Sequence, residues 1–100
     1  MSLAEATALV KEKVGDDCGV PNTIKIDLGD DGVIFIDGTV KPNVVSNDDA
    51  DADVTIRISL DDYMQVLSGA LDAQMAFMTG KLKLDGNMGV AMQFANAMRG

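Results

Sequence analysis

Four strand-like segments crowd between residues 22 and 58 with no helical period between them. This clustering constrains the fold more than any other feature of the chain. Asn22 to Leu28 alternates, with Ile24, Ile26 and Leu28 on one side and Lys25 and Asp27 on the other, which predicts a half-buried strand. Gly29-Asp30-Asp31-Gly32 is a turn, and Val33-Ile34-Phe35-Ile36 follows, so the pair reads as a hairpin. Four apolar residues in a row imply that both faces of this second strand are at least partly covered. Thr39 to Val45 is a weaker strand, and Pro42 argues for an edge position. After a polar loop, Asn47 to Ala52, alternation returns in Asp53 to Ile58 with Val54, Ile56 and Ile58 inward.

Helical spacing frames the cluster. Ser2-Leu3-Ala4-Glu5 has the form of a capping box, and Leu3, Ala6, Leu9, Val10 and Val14 recur at helical intervals up to Gly15. Ser59 caps a second helix, whose first turn carries Asp61 and Asp62 at the positive end of its dipole. Leu60, Met64, Leu67 and Leu71 keep its period, with Gly69 as the C-cap. Asp72 caps a short helix over 73–78, stopped by Gly80; Lys81 to Asp85 alternates as a fifth strand; Asn87 caps a last helix to about Met98. The order α-β-β-β-β-α-α-β-α predicts an α+β fold. Its five-stranded, largely antiparallel sheet should carry the helices on one face, in a single domain over residues 1–100.

Charge divides the chain. Residues 1–62 hold 14 acids and 5 bases, whereas residues 63–100 hold 2 acids and 3 bases, together with six of the seven methionines. An acidic surface repels phosphates, so nucleic acid is not an expected partner, and contact with membranes is at most transient. Cys18 stands alone, which excludes an internal disulfide and fits a reducing cytoplasm. The chain has no histidine, so histidine-based triads and metal sites are excluded. Asp49-Ala50-Asp51-Ala52-Asp53 begins like a calcium loop but has Val54 where the loop needs glycine and Leu60 where it needs glutamate. Gly80-Lys81 lacks the Ser/Thr of a phosphate loop, and Gly86-Asn87-Met88-Gly89 lacks the basic flanks of a nucleic-acid clamp. No catalytic residue, metal or cofactor emerges.

The last helix sets a separate constraint. Met88, Ala91, Met92, Ala95 and Met98 form one stripe, and Val90, Phe94 and Ala97 another, leaving Gln93 and Asn96 as its polar residues before Arg99. A helix apolar almost all round needs cover on more than one side, and a sheet covers only one. Either a neighbouring helix completes an ordinary core, or the second face lines a cavity for an apolar guest. An empty cavity of about 300 Å³ would cost roughly 7 kcal/mol, comparable to the whole stability of a small domain. Such a space must be filled by a ligand or by side chains that collapse into it, and methionine, unbranched and deformable, suits both. A third use of this face is an interaction or dimerisation module, with the helix packed on a partner.

Five separated motifs stand in register across the chain: Ala52-Asp53-Val54-Thr55-Ile56; Gly69; Ala76-Phe77-Met78-Thr79-Gly80-Lys81-Leu82-Lys83-Leu84; Asp85-Gly86-Asn87-Met88-Gly89; and Ala91-Met92. In them the chain resembles the sterol carrier protein 2 (SCP-2) domain family, most specifically over residues 52–92. The resemblance implies a five-stranded sheet with helices on one face and a hydrophobic tunnel between. It also implies non-catalytic binding or transfer of sterols, fatty acids or fatty acyl-CoA. Carried onto this chain, the tunnel would be lined by Phe77, Met78, Leu82, Leu84, Met88, Ala91, Met92 and Ala95, with Met64, Leu67 and Met75 from the preceding helices. The first N–H groups of the last helix, around Gly89, are a candidate seat for a lipid carboxylate. The ending Ala97-Met98-Arg99-Gly100 differs from the peroxisomal address of many eukaryotic members and suggests a stand-alone prokaryotic type. A single-chain lipid is then expected over a sterol.

Overall fold

A computed structural model describes residues 2–98. Helix α1 (Leu3–Val14) leads into strand β1 (Thr23–Asp27), a 3-10 turn (Gly29–Asp31), β2 (Val33–Asp37), β3 (Val44–Ser46) and β4 (Val54–Ile58). Helices α2 (Leu60–Ser68) and α3 (Ala73–Met78), strand β5 (Leu82–Gly86) and helix α4 (Met88–Met98) complete the chain. The strands form one sheet in the order β3-β2-β1-β4-β5.

Local chemistry sets the helix ends. Ser2 Oγ accepts from the Glu5 N–H, Ser59 Oγ from Asp62 N–H, and Asp72 Oδ1 from Gln74 N–H, each satisfying a donor that the helix cannot. Gly69 ends α2 in the left-handed region at φ 85°. The third strand starts later than alternation predicts: residues 38–42 are turn and bend, and only Val44–Ser46 pair with β2, as an edge strand.

The sheet is mixed, and this corrects the expectation of a largely antiparallel one. β1–β2, β2–β3 and β4–β5 are antiparallel, but the central β1–β4 pair is parallel, with Ile24 opposite Val54 and Ile26 opposite Ile56. The reason lies in the connection. Instead of turning back beside β3, residues 47–53 carry the chain past β2 and β1, so that β4 enters from the same end as β1. Alternation specifies which face of a strand is buried; it carries no information about strand direction.

Three contacts fasten this crossing segment. Asn47 Nδ2 donates to Thr7 Oγ1 (3.0 Å) and Val33 O (2.9 Å), and Lys25 Nζ pairs with Asp49 Oδ1 at 2.9 Å. Lys25 lies between Ile24 and Ile26, so the segment passes over the sheet face opposite those isoleucines. At its end, Asp53 N–H donates to Thr23 O, while Asp53 Oδ2 accepts from Thr23 N–H (3.1 Å) and Asn22 Nδ2 (3.2 Å). These bonds, the backbone one from Thr23 first and the Asn22 amide second, hold the Asp53 carboxyl below the usual carboxylate range. Asp53 O also accepts from Asn87 N–H at 3.0 Å, which ties the start of β4 to the start of α4. Gly86 makes that approach possible: it sits at φ 112°, and a Cβ there would lie 2.5 Å from Asp53 O.

The inward face of the sheet is aliphatic. Ile24, Ile26, Ile34, Ile36 and Val54 are sealed from solvent, and the alternate positions are exposed or half-buried. Val33 and Phe35 are half-buried, so the far face of β2 is partly covered, as its unbroken apolar run predicts. Helix α4 packs across β1, β4 and β5, and α1 packs on α2 and α4 and reaches β3.

Candidate functional site

The residues assigned to a lining separate into three environments. Met64, Leu82 and Ala91 are buried in the common core. Leu67, Leu84 and Ala95 are half-buried. Met75, Phe77 and Met78 on α3, and Met88, Gly89 and Met92 on α4, face solvent, with Met78 at 72% and Met92 at 62% exposure.

Helix geometry explains the division. Along α4, Val90, Ala91, Phe94 and Met98 turn inward, a face drawn from both apolar stripes of the sequence. The sheet and α1 cover this face, and the rest of the apolar circumference, Met88 and Met92, is left open. On the six-residue α3, only Ala76 is buried, so its three large side chains stay outside. Helices α3 and α4 both pack against β5, one before it and one after it in the chain. Among the described residues, five of the eight large exposed apolar side chains therefore come from the two helices that flank one strand.

Two clefts open elsewhere on the described surface. One, of about 490 Å³, lies between α1 and α2 and is lined by Leu9, Met64, Leu67 and the polar residues Asp61, Gln65 and Ser68. It gathers two of the predicted lining residues. It also adds Leu9, which the sequence shows only as one more apolar residue of the α1 stripe. The other, of about 390 Å³, lies at the end of the sheet, where Arg57, Lys81 and Lys83 meet Asp27, Leu28 and Ser59. Arg57 is engaged there by Asp27 and Asp85, each at 3.7 Å.

At the start of α4, Asn87 Oδ1 accepts from Val90 N–H at 3.2 Å. A Cβ on Gly89 would lie 3.2 Å from that same oxygen, so the glycine leaves room for the cap. Cys18 is a free, half-buried thiol whose own N–H is held by Asn43 Oδ1 at 2.8 Å. Among the described residues no group of three or more carboxylates and thiols comes together to hold a metal ion. No described helix is long and apolar enough to cross a membrane.

Residues 6–99 match the pattern of the SCP-2 sterol transfer family. Peroxisomal multifunctional enzyme A of Dictyostelium discoideum is 38% identical over 72 residues, 72% of this chain and 14% of that protein. The chain corresponds to a small part of such curated relatives, between 10% and 25% of the length of those compared. Among solved structures, the sterol carrier protein domain 2 of Helicoverpa armigera superposes with a TM-score of 0.73 at 28% identity, covering 96% of this chain and 84% of that one. Palmitated SCP2L2 of Aedes aegypti has the same fold, with a TM-score of 0.75 at 23% identity, covering 100% and 96% of the two chains. The α+β layout with its five-stranded mixed sheet is thus shared with these carriers, and the chain belongs to the SCP-2 sterol transfer family.

Proposed function

We propose that residues 1–100 act as one domain that binds a lipid and carries it between sites without chemically altering it. The observation that supports this best is the uncovered apolar surface of α3 and α4, in a member of a family named for sterol transfer. The guest lies along Met75, Phe77, Met78, Met88 and Met92, with Gly89 beside them, and reaches inward to Leu82, Leu84, Ala91 and Ala95. Met64 and Leu67 continue the lining towards the cleft between α1 and α2. The exposed methionines fold over the guest to complete a tunnel, a closure their flexible stems permit.

The ligand class is a fatty acid, a fatty acyl-CoA or a sterol-like lipid, with single-chain lipids preferred. Each buried methylene contributes about 0.8 kcal/mol, so a long acyl chain supplies on the order of 10 kcal/mol against an association cost of at least about 4 kcal/mol. The absence of histidine and the plain setting of Cys18 support a carrier over an enzyme. The single unpaired cysteine also supports a cytoplasmic location.

Native mass spectrometry of gently purified protein, followed by displacement of a fluorescent fatty acid, tests the reading. A co-purifying lipid mass and saturable displacement are expected. A tight dimer that carries no lipid and displaces no probe would overturn it and give the patch to self-association.

A further inference from the structure

The cleft at the end of the sheet concentrates cations in a chain that is short of them. The protein carries 16 acids and 8 bases, yet Arg57, Lys81 and Lys83 line this one opening of about 390 Å³. Among the described residues Asp27 is the one acid in its lining. Strand register builds the cluster. Arg57 on β4 stands directly opposite Lys83 on β5, and both lie on the face away from the buried Ile56, Ile58 and Leu82. Lys81 joins them from the bend that enters β5. Like charges opposite each other on one face weaken a sheet, so strand pairing does not account for the arrangement.

Local acids leave the cluster positive. Asp27 and Asp85 each stand 3.7 Å from Arg57, beyond hydrogen-bond distance. The other oxygen of Asp27 already accepts from the Gly29 N–H at 2.9 Å. Among the described residues no acid pairs with Lys81 or Lys83, and both are exposed. Ser59 Oγ, also in the lining, accepts from Asp62 N–H and keeps its own O–H free to donate. The acids elsewhere in the chain matter less, because salt screens charges beyond about 8–10 Å.

We infer that this cleft is an anion site for a phosphate or diphosphate group, held by Arg57, Lys81 and Lys83. Such a group carries the charge to engage several cations, takes a forked contact from arginine and accepts point contacts from lysine. A carboxylate, with a single charge, would leave most of the cluster unanswered. The site goes beyond the lipid reading and needs no apolar guest. Its phosphate arrives either on a free small molecule or on the headgroup of a carried lipid.

Pyrophosphate, dodecanoyl-CoA and dodecanoate, titrated at low salt and followed by amide NMR, test the site and separate its sources. Both phosphate probes are expected to shift the signals of Ser59, Lys81 and Lys83 in the wild-type chain. Lys81→Gln combined with Lys83→Gln should bind them about three- to tenfold more weakly and leave dodecanoate unchanged. Removing Lys83 relieves a like-charge pair, so the variant should unfold at the wild-type temperature or higher. A shift with pyrophosphate supports a free phosphate compound. A shift with dodecanoyl-CoA alone, weakened in the variant, supports the headgroup. If neither phosphate probe moves those signals, or the variant binds both as tightly as wild type, the site is overturned and the lipid reading stands. Failure of dodecanoate to bind, with the cleft still responding to pyrophosphate, overturns the lipid reading and leaves the site.

Discussion

At the centre of the sheet, Ile24, Ile26, Ile34, Ile36 and Val54 are sealed from solvent, whereas Met75 and Met78 on α3 and Met88 and Met92 on α4 stand open to it. The first set is branched at Cβ and stiff, so each residue packs in essentially one shape. The second is unbranched and polarizable, and adapts to whatever it meets. Charge follows the same division, with the acids concentrated in residues 1–62 and the methionines in residues 63–100. Rigid side chains occupy the part of the molecule whose shape the chain decides alone. Deformable ones stand on the exposed surface of α3 and α4, the part we propose a lipid completes.

The contrast can be broken most directly at its rigid end. Ile36→Ala removes a fully buried side chain and should lower the unfolding free energy by about 2–5 kcal/mol, read from the urea midpoint. A loss below about 1 kcal/mol would show a centre as forgiving as the methionine surface. At the deformable end, Met78→Gln combined with Met92→Gln should leave stability within about 0.5 kcal/mol of wild type. Fatty-acid affinity should fall about tenfold, or ~1.4 kcal/mol, by fluorescence displacement. Substantial unfolding by this pair would mean that the open surface is structural after all.

Between the two regions stands the cap of α2. Ser59→Ala withdraws the acceptor of the Asp62 N–H and is expected to cost about 1 kcal/mol, measured by thermal unfolding. The smallest effect concerns Asp53. Its carboxyl titrates lower in the folded chain than in the unfolded one, so the stability it adds is present above a pH of about 4 and is lost as pH falls through its lowered value. Asp53→Asn should therefore differ from wild type at neutral pH and converge with it in acid. Parallel acid-unfolding curves at constant separation would contradict this linkage.

Much of this arrangement is legible in the residues themselves. Ser59, Gly69 and Asp72 mark the ends of α2 and the start of α3 because caps are short-range chemistry, and the alternation of residues 22–28 and 53–58 identifies the buried isoleucines. What escapes is non-local. The parallel β1–β4 pair depends on the route of residues 47–53, and that route is held by Asn47, Asp49 and Asp53 meeting Thr7, Lys25 and Thr23, partners far away in sequence. The late start of β3 is set by the turn and bend of residues 38–42. For the candidate site, the apolar character of α3 and α4 is plain from composition. Which residues of the two stripes face solvent depends on how α4 settles across three strands, and no local pattern encodes that.

The strand order has one more effect, on how the molecule avoids its own kind. A sheet ending in β3 and β5 has two rims where another chain could add a strand and propagate an aggregate. One rim is three residues long and follows a proline; the other carries the exposed Lys83. Both are poor templates for growth. Blunted margins of this kind weaken edge-to-edge growth in a molecule that also exposes greasy side chains on α3 and α4.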